Sequence, residues 1–444
     1  MTSRVEQALE KFFQSNLSPW PSDVIVAYSG GIDSHVLLHA MAQWMQRHAF
    51  PFSCQAIYID HQLSPYAAAW AKHCQAICQS LNIDYGSFKV ELNAQRGQSL
   101  EALARDARYQ ALQRQMRLNS LLLTGQHSDD QAETVLLQLF RGAGPQGLAA
   151  MPRHKKMGPG HLGRPLLGLT RAQLLDYARQ YQLHWVEDES NQVLRFARNR
   201  VRQQILPLVH QHFKGVKHCL ARSARLCAQS QQLLQDLAGL DYAKVATPDQ
   251  QLYSAPLQAL SRARQANLIR YWLQQHHLPC PTERKLNALL AQLTAREDAQ
   301  PCIEWPGVTV RRFQGIWYAT TKLACPSHYL PNVAPHWDLR QPLYLPNGQT
   351  LKAQLTQGTG LIQQAMPLRV GFRQGGERCK PAGYAHSRPL KKWLQDFKVP
   401  PWQRHSIPLL YYQHTLVAVV GYFICHGWQV NTAKQSGYMF YLEE

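Results

Sequence analysis

Asp23-Val24-Ile25-Val26-Ala27-Tyr28 is a short apolar run that passes without interruption into Ser29-Gly30-Gly31-Ile32-Asp33-Ser34, and helical spacing begins at once. No other segment constrains the chain as strongly. A buried strand must end in a turn tight enough to need two glycines, which carry no Cβ to obstruct a close approach. The backbone N–H groups of such a turn and helix start point at negative oxygens. Ser29 and Ser34 add hydroxyl donors. Asp33 is no phosphate ligand by itself, so its carboxylate implies a bridging cation, Mg²⁺ by preference. The turn lacks the lysine of a GxxxxGK[ST] loop, so it does not read as a grip on the β- and γ-phosphates for γ-transfer.

The following segments alternate between strand and helix patterns. Residues 33–47 have helical spacing, with Val36, Leu37, Ala40, Met41 and Trp44 on one face. Residues 56–59 read as a strand, 66–81 as a helix and 87–92 as a strand. Residues 99–117 read as a helix with Ser99 as N-cap, 120–124 as a fourth strand and 129–140 as a further helix. Repeated β-α-β units predict an α/β fold whose parallel sheet is covered on both faces, with ligands outside the carboxyl ends of its strands. Residues 141–163, rich in Gly, Pro and bases, read as a loop over that edge or toward a partner. Helices are expected at 170–180 and 199–210, the second with Pro207 near its end. The Leu/Ala/Gln-rich stretch 216–300 predicts a small helical domain. β-type residues take over from about 302, and the tail from about 335 reads as a separate α+β domain behind a Pro-rich linker, 325–336. At roughly 150 residues per domain, the 444 residues fit three: 1–215, 216–330 and 335–444.

Charge follows the same division. The chain holds 47 Lys+Arg against 28 Asp+Glu, net +19, yet residues 1–150 hold 11 against 12, so the whole surplus follows them. A near-neutral front and a basic remainder predict a catalytic module followed by a footprint for a polyanion. The longest apolar stretch, 415–425, is interrupted by Gly421 and falls far short of the ~20 residues that span a bilayer. The N-terminus carries two glutamates and no apolar run before a cleavage site, so no signal peptide is expected. Ten cysteines are scattered, with Cys74/Cys78 the only close pair. That spacing fits a reducing cytoplasm rather than a disulfide scaffold, and it cannot supply four ligands for a zinc site.

The run Ser29 to Ser34 resembles the PP-loop of the N-type ATP pyrophosphatases. These enzymes cleave ATP between its α- and β-phosphates, adenylate an oxygen of a substrate and let a nucleophile displace AMP. Further segments narrow the resemblance to the tRNA(Ile)-lysidine synthetase family. They are GQHSDDQAETVLLQLFRGAGPQGLAAM (125–151), RPLL (164–167), WVEDESNQVLRFARNRVRQQILPLV (185–209) and LRVGFRQGGERCKPAGYAHSRPLKKWLQDFKVPPWQRHSIPLLYYQHTLVAVVG (368–421). The similarity covers the front half and the tail and is weak across 216–330. The family usually has paired histidines where this chain has Gln126-His127.

The resemblance implies a parallel-sheet, adenine-nucleotide-hydrolase-like (PP-loop) domain, then a small helical domain and a C-terminal α+β domain. It implies a ligase that adenylates O2 of the wobble cytidine in an isoleucine tRNA with a CAU anticodon. The ε-amine of L-lysine then attacks C2 and displaces AMP, giving lysidine and moving codon specificity from AUG to AUA. Adenylation turns an amide-like oxygen into a good leaving group. ATP, Mg²⁺, L-lysine and tRNA are the expected ligands, with no membrane; a homodimer stays open. The rival is a PP-loop tRNA 2-thiolation enzyme, which would want cysteines in C-x-x-C pairs, and this chain has none.

Individual residues follow from the same reading. Ser29, Gly30, Gly31, Ile32, Asp33 and Ser34 are expected to hold ATP. Asp60 and His61, after the second strand, are expected at adenosine, unless Asp60 caps a turn. Asp129, Asp130 and Glu133 lie within one helical turn, just after His127. Acids suit a helix N-terminus in any case, but three beside a phosphate loop would repel ATP without a cation. Asp130 and Glu133 share a face and are read as ligands for the amino groups of lysine, with Asp33 and Asp129 at the metal. Asp33, Asp130 and Arg108 are the catalytic candidates; Arg108, three residues from Arg105, would contact phosphate or substrate. Asp188, Asn191, Arg198, Asn199 and Arg202 cluster at a helix start, where Arg198 and Arg202 are read as contacts for tRNA or pyrophosphate. In the tail, Arg373, Arg378, Lys391 and Lys392 surround Gly375-Gly376, with Trp393 and Trp402 near. Bases interleaved with aromatics suit an RNA surface.

Overall fold

The computed structural model describes all residues except 1–2, 17–19, 49–51, 63, 92–99, 188, 190–192, 195, 297–298, 322–333, 347 and 444. Contacts divide the chain into two units, Met1–Leu234 and Gln235–Glu444.

The first unit opens with α1 (Arg4–Asn16), followed by β1 (Asp23–Ala27), α2 (Ile32–Arg47), β2 (Ser53–Asp60), α3 (Ala67–Ser80), β3 (Asp84–Lys89), α4 (Leu100–Arg114), β4 (Leu121–Leu123) and α5 (Ser128–Phe140). A short helix α6 (Pro145–Leu148), a hairpin of β5 (His154–Met157) and β6 (Gly160–Gly163), and α7 (Arg171–Gln180) complete the sheet region. The strand order is β3-β2-β1-β4-β6-β5. All neighbours are parallel except β5 against β6. Successive residues of a strand face opposite sides. Val24 and Val26 therefore enter the core shared with α1, α2, α3 and α7, and Ile25 enters the one shared with Ala111 and Leu112 of α4. The sheet is covered on both faces, as the β-α-β pattern predicts. Helix α2 is buried well beyond one face: Ile32, Ser34, His35, Leu38, His39 and Ala42 are also inside, because α1 and α7 pack on it opposite the sheet.

Three local expectations need correction. Residues 141–163 are not one loop, since 154–163 form the hairpin that extends the sheet. Its glycines read as loop signals, but a Cβ on Gly160 would strike the Ser120 carbonyl oxygen. Strand β3 lies earlier than 87–92: Asp84 to Lys89 pair with Gln55 to Asp60. At this sheet edge the side chains stay half-exposed, so the apolar signal is weak. Pro207 stands at the start of α9 (Leu206–His212) rather than near the close of a helix. It follows α8 (Ala197–Arg200) and the wider π-helical turn Val201–Ile205, whose shifted pairing tolerates a residue without an N–H. Ser99, the expected cap of α4, lies outside the described residues.

Helix α10 (Val216–Val245) runs from the first unit into the second. There β7 (Leu252–Tyr253), α11 (Ser254–Gln258), α12 (Arg262–Gln275), α13 (Glu283–Gln292), β8 (Cys302–Trp305), β9 (Val308–Phe313) and β10 (Ile316–Thr321) follow. Helices and strands share one core around Leu268, Trp272, Leu289, Val310 and Trp317. The tail holds β11 (Ala334–Trp337), β12 (Leu343–Tyr344), β13 (Thr350–Gln357), β14 (Leu361–Ile362), β15 (Leu368–Phe372), β16 (Arg378–Cys379), β17 (Arg388–Pro389), α14 (Leu390–Asp396), β18 (Pro408–Tyr412), β19 (Thr415–Val419), β20 (Phe423–Ile424) and β21 (Ser436–Glu443). Its larger sheets run β11-β15-β18-β19-β20 and β12-β13-β21-β14, an α+β arrangement as expected. Most of the expected linker lies outside the described residues, and its end, Ala334 to His336, belongs to β11. Among the described residues no helix is long and apolar enough to cross a membrane.

Candidate active site

Chain order and strand order diverge at β1. The chain moves outward to β2 and β3, then α4 returns it to β4 on the other side of β1. Ligands bind in the crevice that such a reversal opens at the carboxyl ends of the strands. The segment 28–34 leaves β1 at this point and 124–130 leaves β4 beside it. They approach so closely that a Cβ on Gly125 would lie 2.6 Å from the Asp33 carbonyl oxygen.

The loop after β1 is built for an anion. Gly30 has φ +78°, a left-handed conformation that favours glycine, and its carbonyl accepts from the Val186 N–H at 3.0 Å. Gly31 starts α2 with no side-chain cap, so the first N–H groups of the helix keep their donors for a ligand. The Ser34 hydroxyl donates to the Gly31 carbonyl at 2.9 Å and accepts from the Ser29 N–H at 3.1 Å. Cys74, fully buried, packs beneath Gly30.

The turn after β4 carries the acids. His127 caps α5: its Nδ1 accepts from the Asp129 N–H at 3.2 Å, and its own N–H is accepted by Asp130 Oδ2 at 3.0 Å. Its Nε2 then faces Asp33 Oδ2 at 3.5 Å and Asp130 Oδ2 at 3.4 Å. Burial alone would lower the His127 pKa; the Asp33, Asp130 and Asp129 carboxylates reverse that and raise it.

Asp130 and Glu133 are joined to α8 and the π-turn. Arg198 donates Nε to Glu133 Oε2 at 2.7 Å and Nη2 to Asp130 Oδ1 at 2.8 Å. Arg202 donates Nε to Glu133 Oε1 at 2.6 Å and Nη2 to Asp130 Oδ1 at 3.1 Å. Burial would push the Asp130 carboxyl up, but His127, Arg198 and Arg202 hold it below its usual range. Asp129 turns the other way, onto the Lys217 ammonium of α10. Burial opposes its ionisation as well, and Lys217 keeps its pKa low.

The donor set fits a hydrated cation rather than a protein cage. Asp33 Oδ1 is buried with no hydrogen-bond partner, an oxygen ligand of the kind Mg²⁺ takes along with substrate phosphates and water. Among the described residues no three His, Cys, Asp or Glu side chains gather as a metal cage.

The structure thus brings Ser29 to Ser34, Asp129, Asp130, Glu133, Arg198 and Arg202 together. The two arginines lie on the acids. Asp60 Oδ1 accepts from the Gln62 N–H at 2.7 Å, so one of its oxygens closes the turn after β2. Arg108 lies on α4, half-buried beside Tyr109. Asp188 and Asn191 fall outside the described residues; Asn199 is buried and donates to the Val193 carbonyl. In the second unit Arg373 faces Glu377 at 3.8 Å, while Arg378, Lys391 and Lys392 are exposed. Trp393 is core, its indole donating to the Cys379 carbonyl. Sequence reasoning passed over the cap formed by His127, since histidine is not a preferred N-cap. It also missed Lys217, which sits 88 residues from its partner.

Comparison with known proteins accounts for most of the chain. A PP-loop domain matches residues 1–209, a TilS substrate binding domain 252–318 and a TilS substrate C-terminal domain 368–440. A tRNA(Ile)-lysidine synthase of Coxiella burnetii is 42% identical over 416 residues, 92% of this chain and 91% of that one. Another, of Pectobacterium atrosepticum, is 40% identical over 411 residues, 92% of each chain. With such identity sustained from the nucleotide loop into the basic tail, the chain belongs to the tRNA(Ile)-lysidine synthase family.

Proposed function

We propose that the chain uses ATP to adenylate O2 of the wobble cytidine in an isoleucine tRNA with a CAU anticodon and then joins L-lysine at C2. In the first step the cytosine oxygen attacks the α-phosphorus and pyrophosphate leaves. In the second the uncharged ε-amine attacks C2, AMP departs with the oxygen, and the amine gives up a proton. The observation that carries this reading is the uncapped start of α2, with the unpartnered Asp33 Oδ1, set beside an acid cluster at the strand-order reversal.

The loop N–H groups, with Ser29 and Ser34, hold the phosphates. Asp33 Oδ1 holds Mg²⁺, which would neutralise phosphate charge; Asp129, whose Oδ2 meets Lys217, would join through Oδ1. Asp60 and His61, at the end of β2, flank adenosine. Asp130 and Glu133 receive the amino groups of lysine through Asp130 Oδ2 and Glu133 Oε1, each of which accepts one hydrogen bond and keeps a second lone pair. Arg198 and Arg202 fix those carboxylates and so act as positioning residues. Arg108 approaches the substrate from α4. Residues 1–215 form the catalytic domain, while 216–330 and Arg373, Arg378, Lys391 and Lys392 of 335–444 bind tRNA. Free L-lysine, ATP and tRNA as substrates support a cytoplasmic enzyme.

Incubation with ATP, labelled L-lysine and bulk tRNA tests the reading. Label in a modified cytidine, with one AMP released per lysine, is expected. Unlabelled nucleosides, or ADP in place of AMP, would refute it.

A further inference from the structure

Arg164 follows β6 at the sheet's carboxyl edge and is 2% exposed. Its Nε donates to Gln126 Oε1 at 2.7 Å and its Nη1 to the Pro152 carbonyl at 2.7 Å, and it also reaches the Tyr109 hydroxyl. All these acceptors are neutral. Elsewhere in this unit strongly held guanidiniums meet acids: Arg47 meets Glu6, and Arg198 and Arg202 meet Asp130 and Glu133. Around Tyr109 the positive charge accumulates instead. Arg105 and Arg108 lie 5.5 and 6.0 Å from its ring centre, and Gln126 Nε2 donates to its hydroxyl at 3.2 Å. Among the described residues neither Arg105, Arg108 nor Arg164 has a carboxylate within ion-pair distance. Positive charge gathered here, buried at Arg164 and half-exposed at Arg105 and Arg108, suits a bound anion.

We propose that Arg105, Arg108 and Tyr109, backed by Arg164 and Gln126, form a subsite for a phosphate oxyanion, filled by a phosphodiester of the RNA next to the reacting nucleotide. The inference rests on the function proposed above and adds a contact on the catalytic unit itself. Strand order selects the source. Asp60 and His61 end β2 on one side of the nucleotide loop, whereas Gln126 and Arg164 follow β4 and β6 on the other. A nucleotide lying across β2 and β1 leaves the β4–β6 flank to the second substrate. The acids of α5 adjoin this flank: burial, and then the like charges of Arg105 and of Arg198, which those acids hold, lower the Arg108 pKa. The lowered Tyr109 pKa agrees; burial would raise it, but the Gln126 hydrogen bond and the surrounding arginines outweigh burial.

The test compares the full chain with Arg105→Gln and Arg105→Lys, at a half-exposed position where neither change should disturb folding. Bulk tRNA binding is measured across a salt series, with ATP KM and inhibition by inorganic pyrophosphate read alongside. Arg105→Gln should make the plot of log affinity against log salt shallower by about one unit. Arg105→Lys should restore it, and the ATP and pyrophosphate constants should not move. An unchanged slope overturns the subsite. Weaker pyrophosphate inhibition at unchanged slope overturns the RNA assignment, since the oxyanion would then be the leaving group. Failure of the unaltered protein to bind tRNA would sink the proposed function and this inference together, whereas a loss confined to the subsite leaves lysine incorporation by the unaltered protein intact.

Discussion

Glu133→Gln is the sharpest probe of the acid network. The side chain is 1% exposed and accepts three hydrogen bonds, from Arg198 Nε at 2.7 Å and from Arg202 Nε and Nη2 at 2.6 and 3.1 Å. An amide of the same size keeps one acceptor and turns an NH₂ toward guanidinium donors. Breaking a fully buried ion pair costs about 3–5 kcal/mol. Here the arginine side chains are 19% and 28% exposed and retain Asp130, so water and the second carboxylate reduce the loss to about 2 kcal/mol. For a unit of this size that corresponds to a Tm lower by about 4–8 °C. Hydrogen exchange on the intact chain would resolve the change, with protection falling in α5 and α8 and holding in the tail sheets. Arg198→Met alone and combined with Glu133→Gln completes a cycle. Because both residues belong to one network, the double variant should lose less than the sum of the singles. Strict additivity, or a loss below about 0.5 kcal/mol for Glu133→Gln, would refute the view that these ion pairs fix the acid pair. The KM for lysine should rise in the same variant while that for ATP stays put.

Asp33→Ala should abolish lysine incorporation and leave tRNA retention on a filter largely intact, because Asp33 belongs to the nucleotide loop of the first unit and the exposed bases of the tail belong to the second; full activity would contradict its proposed place at the metal. Charge reversal at Lys391 and Lys392 should lower tRNA affinity and flatten its salt dependence, by about one unit of slope for each phosphate no longer neutralised; an unaltered slope removes α14 from the footprint. Asp130 has a lowered folded pKa despite burial, through His127, Arg198 and Arg202. Its stabilising share is therefore complete above the ordinary aspartate value of about 3.9 and is lost as pH falls through the lower folded value. Urea midpoints between pH 5 and 3 should fall more steeply for the unaltered protein than for Asp130→Asn, and equal slopes would contradict the assignment.

What could be read from the sequence was whatever local chemistry dictates. The junction of β1, the glycine turn and α2 is legible because an apolar run, two glycines and a helical period are adjacent and leave one solution. Helix α7 is equally plain: Thr170 and Gln173 form a reciprocal cap at its start. The β5–β6 hairpin was not legible. Gly160 is there because the Ser120 backbone passes against it, a requirement set 40 residues away that looks locally like a loop. The candidate site divides in the same way. Asp129, Asp130 and Glu133 show their shared helix start in their spacing. That Arg198 and Arg202 pair with these acids is a fact of packing of α5 against α8 and the π-turn, across 65 to 72 residues of chain.

The placement of His127 shows how a phosphate loop and an ammonium pocket can be neighbours. Under the proposed function Asp33 serves the first and Asp130 the second, and Nε2 of one imidazole lies 3.5 and 3.4 Å from their carboxylates. The two carboxylate oxygens are then at most about 7 Å apart, where like charges at an effective dielectric of 20 repel by about 2 kcal/mol. Nδ1 already accepts the Asp129 N–H, so the ring proton sits on Nε2, between the two oxygens that need it. Gln126, one residue earlier, takes up the Arg164 side instead. Neighbouring side chains at the end of one strand thus face opposite demands: the imidazole eases repulsion between acids, and the amide shields a cation that has no acid. A second imidazole at 126 could accept from Arg164 through one nitrogen, but it would lack the separate oxygen and NH₂ that let Gln126 bind Arg164, Thr124 and Tyr109 at once. The amide therefore suits a pocket whose charge is balanced on one flank and left open on the other.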